Sequence, residues 1–418
     1  NEYLTRVVDV KNQFLFKWLQ IINDINKRNM RNFDYQTPTR LIFGRDVVAG
    51  LPEVMRPFGR RVLLTYGGGS IKRIGLYDRV RELLKDFEIF ELGGIEPNPK
   101  YSTSVVEGVR ICKEQHIDVI LSVGGGSVLD CSKAIAGGAK YDGETWDLIT
   151  GKAPTLAALP IVDILTLAAT GSEYDAGGVI SRTETNDKIA YIDPHLFPAC
   201  SFLDPTYTFT VNAKHTAAGV ADAINHVMEQ YFTHASNSVA DGFCETLVKT
   251  LMKYAPVALE KPDDYEARAE IMYACTFGCN GLLALGTAGS PWPMHGIEHA
   301  LSAYYDITHG EGLAIITPHW MHHVLNERTQ ERFVKFGLNV FGLSADMAPA
   351  EIAEQTIVCT SQFFKSLGMP MTLREVGIDD SRLEEMAHHV AVNEGLDAPG
   401  TFAPLNEQDI LSILKAAL

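Results

Sequence analysis

The sequence predicts an α/β half followed by an all-α half. Three observations point there. From Arg60 onward continuous apolar runs alternate with helical patterns; two Gly-Gly-Gly-Ser loops stand directly after two of those runs; and beyond Asp204-Pro205 the apolar period becomes 3.6. At 418 residues the chain is longer than the ~100–200 residues usual for one domain. The expected division is an N-terminal extension at 1–29, an α/β domain at 30–208 and a helical domain at 209–418.

The elements follow in order. RVLLTY (61–66), EIFEL (88–92), DVILSV (118–123) and PIVDILTLAAT (160–170) read as strands, separated by helical patterns at 76–87, 103–116 and 127–141. Strand runs without polar alternation are what a parallel sheet covered on both faces requires, so the half is doubly wound. AGGVISRTETNDKIAYIDP (176–194) reads as an excursion turning at Thr185 to Asp187, and the sheet ends near CSFLDP (200–205). After that, Thr216–Phe232, Ser238–Tyr254, Asp264–Leu285, Ile352–Leu367 and Asp380–Val392 are expected helices.

Composition removes several function classes. The chain carries 36 basic and 52 acidic residues, a net charge of −16, with 46% apolar residues; that is a globular composition. It has no basic run, so nucleic acid is not an expected partner. No apolar run reaches the ~18 residues of a membrane helix. Phe14 to Ile25 contains Lys17 and lacks a small-residue cleavage site, unlike a signal peptide. Seven scattered cysteines read as buried free thiols in a reducing cytoplasm rather than as a disulfide framework.

The chemistry concentrates in two places. Gly67-Gly68-Gly69-Ser70 and Gly124-Gly125-Gly126-Ser127 each link a strand to a helix, where glycine lets backbone N–H groups approach a phosphate and the helix N-terminus attracts it. Neither matches the G-x-G-x-x-G fingerprint, and each also reads as a tight turn. No Asp or Glu follows the first strand to hold a ribose 2′-hydroxyl, while Lys72 and Arg73 can meet a 2′-phosphate, which favours NADP(H) over NAD(H).

The second place is the helical half. Asp222 and His226 share a helix face, His295 and His299 do so again, and His309 follows in what reads as a Gly-flanked turn. Six of the 13 histidines fall between His295 and His323. Asp222, His226, His295 and His309 together suit Fe²⁺ or Zn²⁺, while His319, His322 and His323 read as structural. Between Arg268 and Arg328 there is no Lys or Arg, so a neutral, partly apolar substrate is expected.

At TPTRLIFG (37–44), TYGGGS (65–70), GGIEPNP (93–99), GGGSVLDCSK (124–133), LAATGSE (167–173), GVADAINHVMEQY (219–231) and HGIEHALSAYYDITHGEG (295–312), the chain resembles the iron-containing (group III) alcohol dehydrogenases, in their butanol dehydrogenase and broad-range aldehyde reductase branch. The resemblance implies an N-terminal Rossmann-like dinucleotide-binding domain, an all-helical metal-binding domain and an active site in the cleft between them. By position, Asp222, His226, His295 and His309 would be metal ligands and His299 a histidine close to substrate and nicotinamide. Gly67, Gly68, Ser70, Gly125, Gly126, Ser127, Asp130, Thr166, Thr170 and Lys188 would line the cofactor. It further implies hydride transfer between NAD(P)H and small aldehydes or primary alcohols in a homodimer; because an imidazole titrates near neutral pH, His299 is expected to relay the alcohol proton. The segment before Met30 has no counterpart in the family, and Ala168 stands where relatives often carry Pro. A glycerol-dehydrogenase-like enzyme, a dehydroquinate-synthase-like lyase and a non-catalytic metal- or nucleotide-binding protein are the competing readings; the lyase needs fixed cations that the Lys/Arg-free stretch does not offer.

Overall fold

A computed structural model describes residues 30–398 and 401–418; the expected N-terminal extension lies outside the described residues. The first strand, β1 (Arg40–Phe43), is too short and too exposed to register as a periodic run. Then come α1 (Leu51–Met55), β2 (Arg61–Tyr66), α2 (Ser70–Arg73), α3 (Leu76–Leu83), β3 (Glu88–Gly93), α4 (Val106–Glu114), β4 (Val119–Gly124), α5 (Gly126–Ala139), α6 (Thr145–Ile149) and β5 (Ile161–Leu165). The expected excursion is a separate antiparallel pair, β6 (Gly177–Arg182) and β7 (Asp187–Ile192). β8 (Cys200–Leu203) completes a six-stranded parallel sheet in the order β1-β8-β5-β4-β2-β3.

Every residue of β4 and β5 is buried, because helices cover both faces. Leu63 and Ile120 pack with Ile135 of α5 on one side, whereas Val62 and Leu64 pack with Leu51 of α1 and Val80 of α3 on the other. Successive residues of β2 thus serve opposite layers.

The remainder is helical among the described residues: α7 (Ala213–Tyr231), α8 (Ser238–Glu260), α9 (Tyr265–Thr276), α10 (Pro293–Tyr305), α11 (His309–Val324), α12 (Gln330–Val340), α13 (Pro349–Ser366), α14 (Leu383–Asn393) and α15 (Glu407–Ala416). Asn212, Asn237 and Asp264 start α7, α8 and α9 by accepting from the backbone N–H three residues on, which satisfies donors no helix can pair internally. Their core gathers Phe232, Trp320, Phe333 and Phe336.

Two expectations change. The helix expected over 264–285 stops at Thr276, and Gly281 at φ +85° begins a short 3₁₀ turn beyond it; apolar content carried the pattern past the break. His309 is the first residue of α11 rather than part of a turn. Gly310 explains how it fits: a Cβ there would lie 2.1 Å from the Ala218 carbonyl oxygen, so α11 starts pressed against α7.

Candidate functional site

The two glycine loops lie at the carboxyl ends of adjacent strands, β2 and β4, which pair in register from Val62–Val119 to Tyr66–Val123. The chain leaves β2 for β3 at the sheet edge and returns to the opposite side of β2 as β4. The loops therefore flank the point where strand order reverses, the crevice in which open α/β sheets take their ligands. Gly67, Gly68, Ser70, Gly125 and Ser127 all keep solvent access there. Gly126 opens α5, and a Cβ on it would meet Thr170 Oγ1 at 2.5 Å. Thr166 donates its N–H to the Gly124 carbonyl at 2.8 Å. These residues form one edge at a helix N-terminus suited to a pyrophosphate.

Two residues expected at this edge spend their side chains elsewhere. Asp130 accepts from Ser172 Oγ at 2.7 Å and from the Val179 N–H at 2.9 Å; burial pushes its carboxyl up to about 6. Lys188, on β7, reaches Glu298 Oε2 and His309 Nδ1, both at 3.2 Å. Beside the first loop, exposed Lys72 lies over the rings of Tyr66 and Tyr77, and Glu91 of β3 accepts from both tyrosine hydroxyls and from Arg81.

The metal candidates converge from three helices. Asp222 and His226 lie one turn apart on α7, His295 is on α10 and His309 opens α11. The Nε2 atoms of His226, His295 and His309 stand 3.2, 3.7 and 3.6 Å from one oxygen, Asp222 Oδ1. That oxygen and His295 Nε2 are buried without a hydrogen-bond partner. Buried polar atoms are rarely left so; Asp222, His295 and His309 each place a ligand atom within 4.8 Å of the others, and His226 Nε2 stands beside the Asp222 oxygen, a donor set that fits a divalent cation. Burial opposes ionisation of Asp222, yet the three histidines hold its carboxyl well below the usual range. Burial also takes His226 down to about 3, keeping the imidazole neutral as a ligand must be. His295 goes the other way: burial lowers it, but Asp222 and Glu229 outweigh that and push it up to about 9.

A second layer orients the rings. Glu229 lies 3.2 Å from His295 Nδ1 and accepts from the His295 backbone N–H at 2.9 Å. Glu298, fully buried, bonds His309 Nδ1 and Lys188. A carboxylate on Nδ1 fixes the tautomer that leaves Nε2 facing the centre. Trp292, at φ +57°, sets its ring 5.8 Å from that of His226 and 5.0 Å from that of His295 as an apolar wall. His299 is buried beside this cluster with both ring nitrogens unpartnered, and burial together with Lys188 holds it well below the usual imidazole range.

Models of two family regions match the chain, iron-containing alcohol dehydrogenase over residues 38–205 and the C-terminal part of the Fe-containing alcohol dehydrogenase family over 216–418. The chain belongs to the iron-containing alcohol dehydrogenase family. It is 48% identical to NADH-dependent butanol dehydrogenase A of Clostridium acetobutylicum over 389 residues, 92% of this chain and 99% of that one. It is 39% identical to the NADPH-dependent aldehyde reductase YqhD of Escherichia coli over 85% of this chain and 91% of that one. The crystal structure of a Thermotoga maritima NADH-dependent butanol dehydrogenase A matches with a TM-score of 0.89 at 38% identity, covering 93% of this chain and 99% of that one. This dehydrogenase is thus an oxidoreductase of alcohols and aldehydes that works with a nicotinamide cofactor and a metal.

The sequence reading missed Glu229, Glu298 and Glu394. A signal for the first two exists: Glu229 follows His226 by three residues on one helix, and Glu298 follows His295 by three on another. Carboxylates at helical spacing from candidate ligands are natural supports for them. Glu394, whose Oε1 lies 3.9 Å from His299 Nδ1, is distant from both along the chain, and only folding brings it near.

Proposed function

We propose that this dehydrogenase transfers hydride between NAD(P)H and small neutral aldehydes or primary alcohols of the butyraldehyde and butanol kind. The reaction is placed between a nucleotide domain ending near Thr208 and a helical metal domain. The observation that carries the reading is the convergence of His226, His295 and His309 on the unpartnered Asp222 Oδ1. The crevice and this centre are close neighbours: a Cβ on Gly219 of α7 would lie 2.5 Å from the Ala168 carbonyl, in the segment that leads from Thr166 to Thr170.

Asp222, His226, His295 and His309 would hold the metal, with Fe²⁺ and Zn²⁺ both suited to the donor set. Gly67, Gly68, Ser70, Gly125, Gly126, Ser127, Thr166 and Thr170 would receive the nucleotide, with Asp130 and Lys188 anchoring the segments around it. When bound, the metal supplies Lewis-acid polarisation and the nicotinamide supplies the hydride. The chain's own work is positional. Trp292 and the buried helix faces exclude water, Glu229 and Glu298 hold the ligand rings, and His299 carries the alcohol proton. Lys188 is already neutralised by Glu298, so no free cation among the described residues of this cluster awaits an anionic substrate.

NADP(H) is favoured over NAD(H) because Glu91, the carboxylate beside the first loop, is occupied by two tyrosines and Arg81 while Lys72 is exposed. The relatives named above divide between the two cofactors. A homodimer joined along a sheet edge, in the cytoplasm, completes the proposal; all seven cysteines are free, and no described helix is long and apolar enough to cross a membrane.

The test follows nicotinamide absorbance with butyraldehyde, giving NADPH and NADH separately to protein stripped by chelator and reloaded with Fe²⁺ or Zn²⁺. NADPH loss that returns only with metal is the expected result. No oxidation of either cofactor with either metal would overturn the proposal.

A further inference from the structure

Three Lys or Arg side chains are buried among the described residues: Lys133, Lys188 and Arg268. Lys133 pairs with Asp175 and Lys188 with Glu298. Arg268, on α9 and 4% exposed, pairs with no described carboxylate. Its Nε donates to the Pro262 carbonyl and its Nη1 to Thr216 Oγ1, both at 2.8 Å, while Nη2 bonds nothing among the described residues. Burial lowers its pKa, and no neighbouring charge offsets that effect. Arg268 lines a small cavity where α9 meets the first turn of α7 and the segment between Thr166 and Thr170. Leu167, Ala168, Val211 and Ile271 give the cavity apolar walls.

A buried charge without a partner is costly, and proteins seldom leave one so. The polar groups around this cavity are donors. The Thr216 hydroxyl accepts from Arg268 and keeps its own proton to give, and the first turn of a 19-residue helix adds its positive dipole end. Lys214, in the same turn, is already paired with Glu311. The cavity has room for a single species of about water size, which admits a monatomic anion and leaves out phosphate and carboxylates. We propose that it is a chloride site that completes the pairing of Arg268 and thereby steadies Leu167 and Ala168 against α7 and α9. Because those two residues lie between Thr166 and Thr170, chloride tightens the binding of the nicotinamide nucleotide; this consequence rests on the proposed reading of Thr166 and Thr170 as walls of the nucleotide crevice.

Two measurements on the metal-loaded enzyme test it. Crystals grown with bromide in place of chloride should show an anomalous peak in the cavity beside Arg268 Nη2. NADPH affinity, read by cofactor fluorescence, should be about fivefold tighter in potassium chloride than in potassium gluconate at equal ionic strength, the lower end of usual coupling between two sites; gluconate is too large to enter. Arg268→Met and Thr216→Val should each abolish the peak and bring the two affinities together. Where Arg268→Met fails to fold, Thr216→Val, which removes only the hydroxyl, carries the test. No bromide peak in the cavity would overturn the proposal and leave water as the occupant. A peak in the parent with equal affinities in the two salts would mean an adventitious ion only and would overturn it as well. Failure of the parent to bind NADPH in either salt would instead overturn the nucleotide reading, with the bromide peak still deciding the anion site.

Discussion

Two buried polar clusters, one beneath the sheet and one among the helices, close their hydrogen bonds in opposite ways. Under the sheet, Lys133 of α5 is fully buried and donates to Ser172 O, Ser172 Oγ, Asp175 Oδ1 and Gly177 O at 2.6–2.9 Å. Asp130 and Glu173 also find donors, in Ser172, the Val179 N–H and Thr276. The chain answers its own groups there, and the result is a clamp between α5 and the segment that leads into β6. Among the helices, Asp222 Oδ1, His295 Nε2 and both nitrogens of His299 are equally buried and have no partner. Burial alone does not distinguish the two; unanswered valence does, and it marks the cluster built for ligands.

Asp163 qualifies the contrast. Both of its oxygens are unpartnered at the centre of the sheet, opposite Ser122 in register. Burial raises its carboxyl well above the usual range. An unpartnered group alone therefore does not make a site; several that converge do.

The sharpest way to separate the clusters is to break one member of each. His295→Ala removes a ligand, and turnover of butyraldehyde is expected to fall on the order of a thousandfold, with the bound metal lost by elemental analysis and far-UV circular dichroism retained. If the variant kept its metal and its rate, the helical cluster would be structural, like the one under the sheet. Lys133→Met takes the only cation found among the described residues of the sheet cluster and leaves Asp175 a buried, unpaired carboxylate, at a cost of about 3–5 kcal/mol. Thermal melting would show it as a marked fall in Tm without loss of the metal site. An unchanged Tm would mean that the clamp carries no load.

The mildest test uses pH. Burial pushes Glu173 up from 4.5 to about 7. A carboxyl that binds its proton more tightly when folded costs nothing below pH 4.5, and the cost grows through the interval and is complete above pH 7. It amounts to about 3 kcal/mol there. Glu173→Gln still offers an oxygen to Thr276, so its melting temperature should match that of the parent near pH 4 and exceed it above pH 7. A constant difference across that range would remove Glu173 from the titrating set.

Much of this was legible from sequence because it depends on neighbours along the chain. The alternation from Arg60 to Thr170 shows the parallel sheet, since strands covered on both faces must be continuously apolar. The Asp222–His226 and His295–His299 spacings place pairs on helix faces because the helix period is fixed. Where the chain departs from these rules, the reading slipped. β1 has only four residues on an edge, too few for a period. The expected helix over 264–285 followed its apolar content past the break after Thr276.

By itself, then, the sequence determined the alternation of strand and helix from Arg60 to Thr170, that glycine loops follow two of those strands, and that carboxylate and imidazole candidates gather in the second half. These follow from periodicity and composition. Only the tertiary structure decided that three imidazoles meet one Asp222 oxygen, that Lys188 leaves the nucleotide edge for Glu298, and that Glu394 stands over Gly296. Apart from Asp222–His226 on one helix, those contacts join residues between 73 (Asp222–His295) and 110 (Lys188–Glu298) positions apart. The packing of whole helices and of the β6–β7 hairpin sets such distances, and no local pattern encodes it.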